Sequence, residues 1–242
     1  MSYEIEGLRI TSIKFDALKN QLKNSNSEKK SVHFVAASTI VAVNQDKQLL
    51  EVMNSGILIS DSYPLLKYLA TRQGTFHGIR GTDFMRLYLS DGDQLYFLLG
   101  STPKVTKALI EKIQTLNPAA TCVGEINPSF TEDFKSEIKA WANVIINSGA
   151  TSVWVGMGSP KQDIIAHLLT QEINVPILAV GAAFDFISGN KREAPRIIQK
   201  LYLEWLFRFL SEPKRLLKRY TLGNATFLRI LILDVMKTYK KK

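Results

Sequence analysis

Six short apolar runs punctuate the first 180 residues: Val32–Ala37, Gly56–Ser60, Gln94–Leu99, Ala120–Gly124, Ser152–Gly156 and Val175–Val180. Their length and their Gly, Ser or Asn borders predict strands. Between them lie Thr39–Met53, Thr102–Leu116, Thr131–Asn147 and Lys161–Glu172, whose apolar positions recur at helical spacing. Strands alternating with helices across short turns predict an α/β fold, a parallel sheet layered by helices. The pattern changes after Asn190. From Ala194-Pro195 onward the chain reads as helical, aromatic and basic, and Pro213 after Glu212 marks a break between two helices. Residues 1–193 are therefore expected to form the α/β domain and residues 194–242 a helical appendage.

With 242 residues, 45% of them hydrophobic, the chain can bury one sizeable core without disulfides or metal. Its single cysteine, Cys122, excludes an internal disulfide and a cysteine-based metal cluster. The opening Met1-Ser2-Tyr3-Glu4-Ile5-Glu6 carries acids where a signal peptide needs a basic stretch, so a cytoplasmic protein is expected. The late apolar stretch Phe227 to Met236 is interrupted by Arg229 and Asp234 and is far shorter than the ~20 residues of a bilayer span. Residues 191–242 hold 14 Lys/Arg against 4 Asp/Glu, leaving 17 against 18 in the rest. The whole net charge of +9 is thus C-terminal, which argues against a nucleic-acid surface on the main domain.

Several strand ends run straight into glycine or small polar residues, where an α/β sheet places its ligand crevice. Leu98-Leu99-Gly100-Ser101-Thr102-Pro103 would let backbone N–H groups at a helix start approach a phosphate, and reads equally as an ordinary tight turn. Gly156-Met157-Gly158-Ser159-Pro160-Lys161-Gln162-Asp163 joins two glycines, a proline at a helix start and a Lys/Gln/Asp trio directly to a strand, and favours a ligand loop. In Gly181-Ala182-Ala183-Phe184-Asp185-Phe186 the aspartate can contact a ligand or cap the next turn. Asp61 ends a strand and can serve as a general base toward a sugar hydroxyl, or as the N-cap of a helix beginning near Tyr63-Pro64; local sequence favours the cap. Asp83 admits the same two readings. His33, His77 and His167 show no metal-ligand spacing, no metal is assigned, and neither G-x-G-x-x-G nor G-x-x-x-x-G-K-[ST] occurs. In the appendage Arg196, Lys200, Arg208, Lys214, Arg215, Lys218 and Arg219 interleave with Trp205, Phe207, Phe209 and several leucines. That makeup suits a helix lying in an anionic membrane interface, or a helix packed on the domain with a solvated basic face.

Taken together, Gly81-Thr82-Asp83-Phe84-Met85, the Gly156–Asp163 loop, Gly181–Phe186 with Gly189, Arg192-Glu193-Ala194-Pro195-Arg196, and Leu203–Arg208 leading to Glu212-Pro213-Lys214-Arg215 resemble the WecG/TagA/CpsF family, glycosyltransferase family 26. The resemblance spans roughly residues 30–220 and implies a Rossmann-like sheet. It implies an inverting, metal-independent transferase without cofactors. The enzyme would move a sugar of the N-acetylmannosamine type from a UDP-sugar to a polyprenyl-diphosphate-linked acceptor during bacterial surface polysaccharide assembly. On this resemblance Asp61 becomes the general base. With the Gly100-Ser101 turn, donor contacts fall to Gly100, Ser101, Gly156, Gly158, Ser159, Pro160, Gln162, Gly181, Phe184 and Asp185. Acceptor diphosphate contacts fall to Arg80, Asp83, Arg208, Arg215, Lys218 and Arg219. The appendage would dock on the inner face of the membrane, and self-association is implied. Asp61-Ser62 stands where the family carries Asp-Gly, and Ala36-Ala37-Ser38 where it carries Thr-x-Asn. A non-catalytic membrane-associated scaffold of the same fold is the alternative, and a nucleotide-dependent oxidoreductase is disfavoured by the missing dinucleotide fingerprint.

Overall fold

The computed structural model describes residues 1–23, 31–129, 134–200 and 203–239. One eight-stranded sheet runs through it: β1 Ser2–Ile5, β2 Leu8–Thr11, β3 Ser31–Val35, β4 Ile57–Ser60, β5 Leu95–Gly100, β6 Thr121–Ile126, β7 Ser152–Gly156 and β8 Ile177–Ala179. Their spatial order is β1-β2-β4-β3-β8-β7-β5-β6, parallel throughout except for the antiparallel β1–β2 hairpin. The fold is thus Rossmann-like, with six strands where the apolar runs place them and an additional N-terminal hairpin.

The helices are α1 Phe15–Lys23, α2 Ala37–Gln45, α3 Lys47–Asn54, α4 Tyr63–Gln73, α5 Gly81–Leu89, α6 Pro103–Leu116, α7 Ile138–Ser148 after a 3₁₀ turn, α8 Lys161–Glu172, α9 Ala183–Ile187, α10 Arg196–Lys200, α11 Glu204–Ser211 and α12 Pro213–Tyr239. The expected single helix over Thr39–Met53 is two. Asp46 ends α2 in extended conformation and caps α3, its carboxylate accepting from Gln48 N and Leu49 N.

The two-residue period of the strands sorts their side chains onto two faces. Val32, Ile57, Ile59, Tyr96, Leu98, Trp154 and Leu178 point into a core closed by α1, α5, α6 and α9. Phe97, Leu99, Val153, Val155, Ile177 and Ala179 point the other way, under α7 and α8. On that second side β1, β2 and Leu58 meet α2, α3, α4 and α12 in a third core cluster. From β3 the chain crosses to β4 on one side and then returns past β3 to β5 on the other, so the direction of winding reverses between β3 and β8. Such a reversal opens a crevice at the carboxyl ends of the strands.

Helix α12 is seated on the domain. Phe227 and Ile230 are buried in the third cluster, and the Asp234 carboxylate accepts from the Tyr3 and Tyr68 hydroxyls, each at 2.5 Å. One face of Phe227–Met236 therefore belongs to the core, with Asp234 as its polar anchor, while Leu228, Ile232, Leu233 and Met236 are exposed. No helix among the described residues is long and apolar enough to cross a membrane.

Candidate functional site

On the β8 side of the switch point the ends of β8, β7 and β5 carry residues in the left-handed region. Gly100, the last residue of β5, has φ +115° and Ser101 after it φ +63°, Gly158 lies beyond β7 with φ +78°, and Gly181 beyond β8 with φ +58°. At Gly100 the requirement is also spatial, because a Cβ there would lie 2.5 Å from Met157 Cγ and 2.8 Å from Gly156 O. The β5 and β7 loops thus touch backbone to backbone. Asn127, after β6, supports them by donating to Gly100 O at 3.1 Å.

Gln162 joins the β7 and β8 loops. Its side chain, 4% exposed, accepts from Gly158 N at 3.0 Å through Oε1 and donates to Ala179 O at 3.2 Å through Nε2. Gly181 lies directly beside this amide, at a distance where an added Cβ would make ordinary contact. Gln162 therefore organises the candidate donor loops through backbone bonds. Ser159 and Pro160 are exposed on the crest of that loop. Phe184 is 1% exposed and its ring packs on Gly156, so it supports the loop from inside the core. Asp185 closes the following turn: Oδ1 accepts from Asn190 Nδ2 at 2.7 Å and Oδ2 meets Lys191 Nζ at 3.1 Å.

Asp61 stands at the carboxyl end of β4, its own N–H donating to Val35 O at the end of β3 at 2.9 Å. Its Oδ1 accepts from Gly81 N, the first residue of α5, at 2.7 Å. The N-terminal residue bordering α4 is Ser62, and Asp61 serves another helix start. The α5 N-terminus favours a negative group there. Gly81 itself sits against Phe34 and Val180 O, which places Asp61 at the point of reversal between β3 and β8.

Arg80, the residue before α5, forms the densest charged cluster. Its guanidinium donates to Gln199 at 2.8 Å, to Glu193 at 3.0 Å, and to Asp83 and Glu204 at 3.2 Å each. Arg86 adds a 2.6 Å bond to the other Glu193 oxygen. Burial opposes the Arg80 charge, but Glu204, Asp83, Glu193 and Asp61 outweigh it and hold the proton more firmly than usual. Burial likewise pushes the Glu193 carboxyl up, and Arg86 and then Arg80 overcome that, leaving it below the ordinary range. Asp83 is thus an ion-pair partner of both arginines. Through Glu193, Gln199 and Glu204 the cluster fastens the start of the appendage to α5, beside Asp61. Arg208, Arg215, Lys218 and Arg219 lie on α11 and α12, and their side chains fall outside the described residues.

Two features escape inspection of the chain. Glu193, Gln199 and Glu204 meet Arg80 across more than 100 residues, and only the Arg-Glu-Ala-Pro-Arg string hinted at them. His33 is fully buried and pairs with Asp163, 130 residues away. Among the described residues no group of three His, Cys, Asp or Glu side chains is placed to hold a metal ion.

The crevice thus brings together a strand-end carboxylate, glycine-bearing loops and a cluster of paired arginines and carboxylates. The family model of the WecG/TagA/CpsF glycosyl transferases matches residues 3–241, nearly the whole chain, and the protein belongs to that family.

Proposed function

We propose that this glycosyltransferase of cell-surface polysaccharide biosynthesis transfers a sugar of the N-acetylmannosamine type, with inversion and without a metal, from a UDP-sugar to a polyprenyl-diphosphate-linked acceptor at the cytoplasmic face of the membrane. The observation that carries this reading is Asp61 at the switch point, oriented by Gly81 N–H at 2.7 Å and standing over the same crevice as the Gly100, Gly158 and Gly181 loops. The donor diphosphate lies along those loops, where the positive ends of the α6 and α8 dipoles meet its charge. Asp61 takes the proton from the acceptor hydroxyl while that oxygen bonds to the anomeric carbon from the face opposite the diphosphate. The bond to UDP breaks and its electrons leave with the nucleotide.

Asp61→Asn tests the role. Asparagine keeps an oxygen for Gly81 N–H, so the fold survives, while loss of a general base costs about 10²–10⁴-fold in turnover and leaves donor affinity nearly unchanged. A folded variant releasing UDP at the wild-type rate would return Asp61 to a purely structural role. UDP binding without turnover by the wild type, across a broad donor and acceptor panel, would favour a non-catalytic scaffold.

Membrane docking belongs to the same proposal. Ile197, Leu203, Trp205, Leu210 and Leu217 are exposed on a segment rich in basic residues. Such a surface suits an anionic interface. Trp205→Ser with Leu210→Ser should release the protein from anionic vesicles, and binding by the wild type should weaken with salt. Replacing Arg208, Arg215 and Lys218 with glutamine should lower acceptor use more than UDP binding.

A further inference from the structure

Beneath the crevice, on the face of the sheet covered by α8, lies a polar chain that the reaction does not touch. His33, in the middle of β3, bonds through Nδ1 to Asp163 Oδ1 at 2.8 Å and through Nε2 to Ser31 Oγ at 3.1 Å. All three residues are buried, with exposures of 0%, 2% and 1%. The second Asp163 oxygen, Oδ2, is buried too, with no hydrogen-bond partner among the described residues.

The order Ser31, His33, Asp163 is that of a hydrolytic triad, but the geometry rules out that chemistry. Gly56 closes over the serine and imidazole so tightly that a Cβ would lie 2.4 Å from Ser31 Oγ and 2.6 Å from His33 Cδ2. No substrate reaches the hydroxyl. A polar pair in an otherwise apolar layer is also a poor source of stability, since well-packed apolar side chains of similar volume commonly do as well or better. What such a pair supplies is register: helix α8 cannot slide or turn against β3 without leaving a buried carboxylate and imidazole unpaired.

The register matters because of what is attached at both ends. Asp163 is the next residue after Gln162, the side chain that ties Gly158 N to Ala179 O. His33 is paired across the sheet with Ala179 in β8 on one side and with Leu58 in β4 on the other. Two residues further along β3, Val35 O receives the N–H of Asp61. We propose that the His33–Asp163 pair is a positioning device that refers the β7–α8 loop, the β8–α9 loop and Asp61 to one strand. His33 and Asp163 are positioning residues that touch no substrate. Their value to catalysis rests on the donor reading above, in which those two loops hold the nucleotide.

The test is His33→Leu together with Asp163→Leu, which removes the polar pair and keeps the volume filled. A pair needed only for packing would be replaced without consequence. The expected outcome is a folded protein melting within a few degrees of wild type. Hydrogen exchange in segments 156–162 and 178–185 should be at least tenfold faster with no nucleotide present, and UDP, the probe for the donor site, should bind at least tenfold more weakly. Loop exchange within twofold of wild type in the folded double variant would overturn the proposal. Should the double variant not fold, Asp163→Asn keeps the shape but puts a neutral amide where the carboxylate meets His33 Nδ1, which weakens the pairing bond about twofold and sets a buried NH₂ where Oδ2 now lies. At least threefold faster loop exchange in that variant supports the proposal, and a smaller change overturns it. A wild type that binds no UDP, while loop exchange responds as described, would overturn the donor assignment and support the positioning role.

Discussion

Replacing Gln162 with glutamate probes the loop clamp with almost no change of shape. The amide orientation is forced by its partners, since Gly158 N–H requires an acceptor and Ala179 O a donor. A carboxylate at position 162 would set a negative oxygen about where Nε2 now lies, 3.2 Å from a carbonyl oxygen, in a site 4% exposed. Protonated, the same side chain restores both bonds, donating its O–H to Ala179 O. The folded protein therefore binds a proton that the unfolded chain, near an ordinary glutamate pKa, does not. The variant is closest to wild type at low pH and its deficit grows as pH rises. With an ordinary pKa of about 4.3 and about 1.36 kcal/mol per pH unit, holding the proton costs up to about 3.7 kcal/mol at pH 7 and about 1 kcal/mol at pH 5. At roughly 2–4 °C per kcal/mol for a chain of this size, the difference in melting temperature between wild type and Gln162→Glu should widen by about 5–11 °C from pH 5 to pH 7. The assay is thermal unfolding of both proteins at the two pH values, each compared with its own control. A deficit equal at both, to within about 2 °C, would show that Gln162 does not grip Ala179 O and would remove the clamp from the site description.

Glu193, held below the ordinary carboxylate range, contributes stability that is complete above about pH 4.5 and lost as pH falls through its lower folded value. Glu193→Gln should therefore be less stable than wild type at pH 6 and converge with it near pH 3; a deficit independent of pH would refute the pairing with Arg86 and Arg80. Asp234→Leu removes two charge-assisted bonds from a half-buried site, roughly 3 kcal/mol together, and should lower the melting temperature by about 6–12 °C. Unchanged melting would mean that the Asp234 bonds add nothing to the hold of α12's other contacts, Phe227 and Ile230 among them.

The sheet was legible wherever burial on both faces leaves a continuous apolar run, as in Leu95–Gly100 and Ser152–Gly156. The β1–β2 hairpin was not, because its strands are four residues long and mix charges with apolar residues; its one signal is Glu6-Gly7, both at positive φ, the backbone of a tight hairpin turn. The break at Asp46 was hidden because the apolar spacing runs on through it. At the site, Asp61, Gly100, Gly158 and Gly181 stood out as strand ends, and Gln162 as part of a loop, but not the direction of its amide. What joins them is long-range: Gly81 to Asp61, Glu193 and Glu204 to Arg80, His33 to Asp163. Such partners are neighbours only after the sheet has assembled, and no local spacing records them.

The seat of α12 has a consequence for the order in which the molecule comes together. The third core cluster draws on Ile5 and Leu8 from the first strands and on Phe227 and Ile230 from the last helix, and the Tyr3–Asp234 bond spans 231 positions. Contacts of such separation are slow to form, because a long loop must close before they return anything. During synthesis the first strand and α2 wait, with an apolar surface uncovered, until nearly all of the chain has been made. A nascent or truncated chain lacking α12 is thus a species with an open flank, a target for chaperones and for self-association, and a C-terminal deletion removes part of the core together with the basic surface.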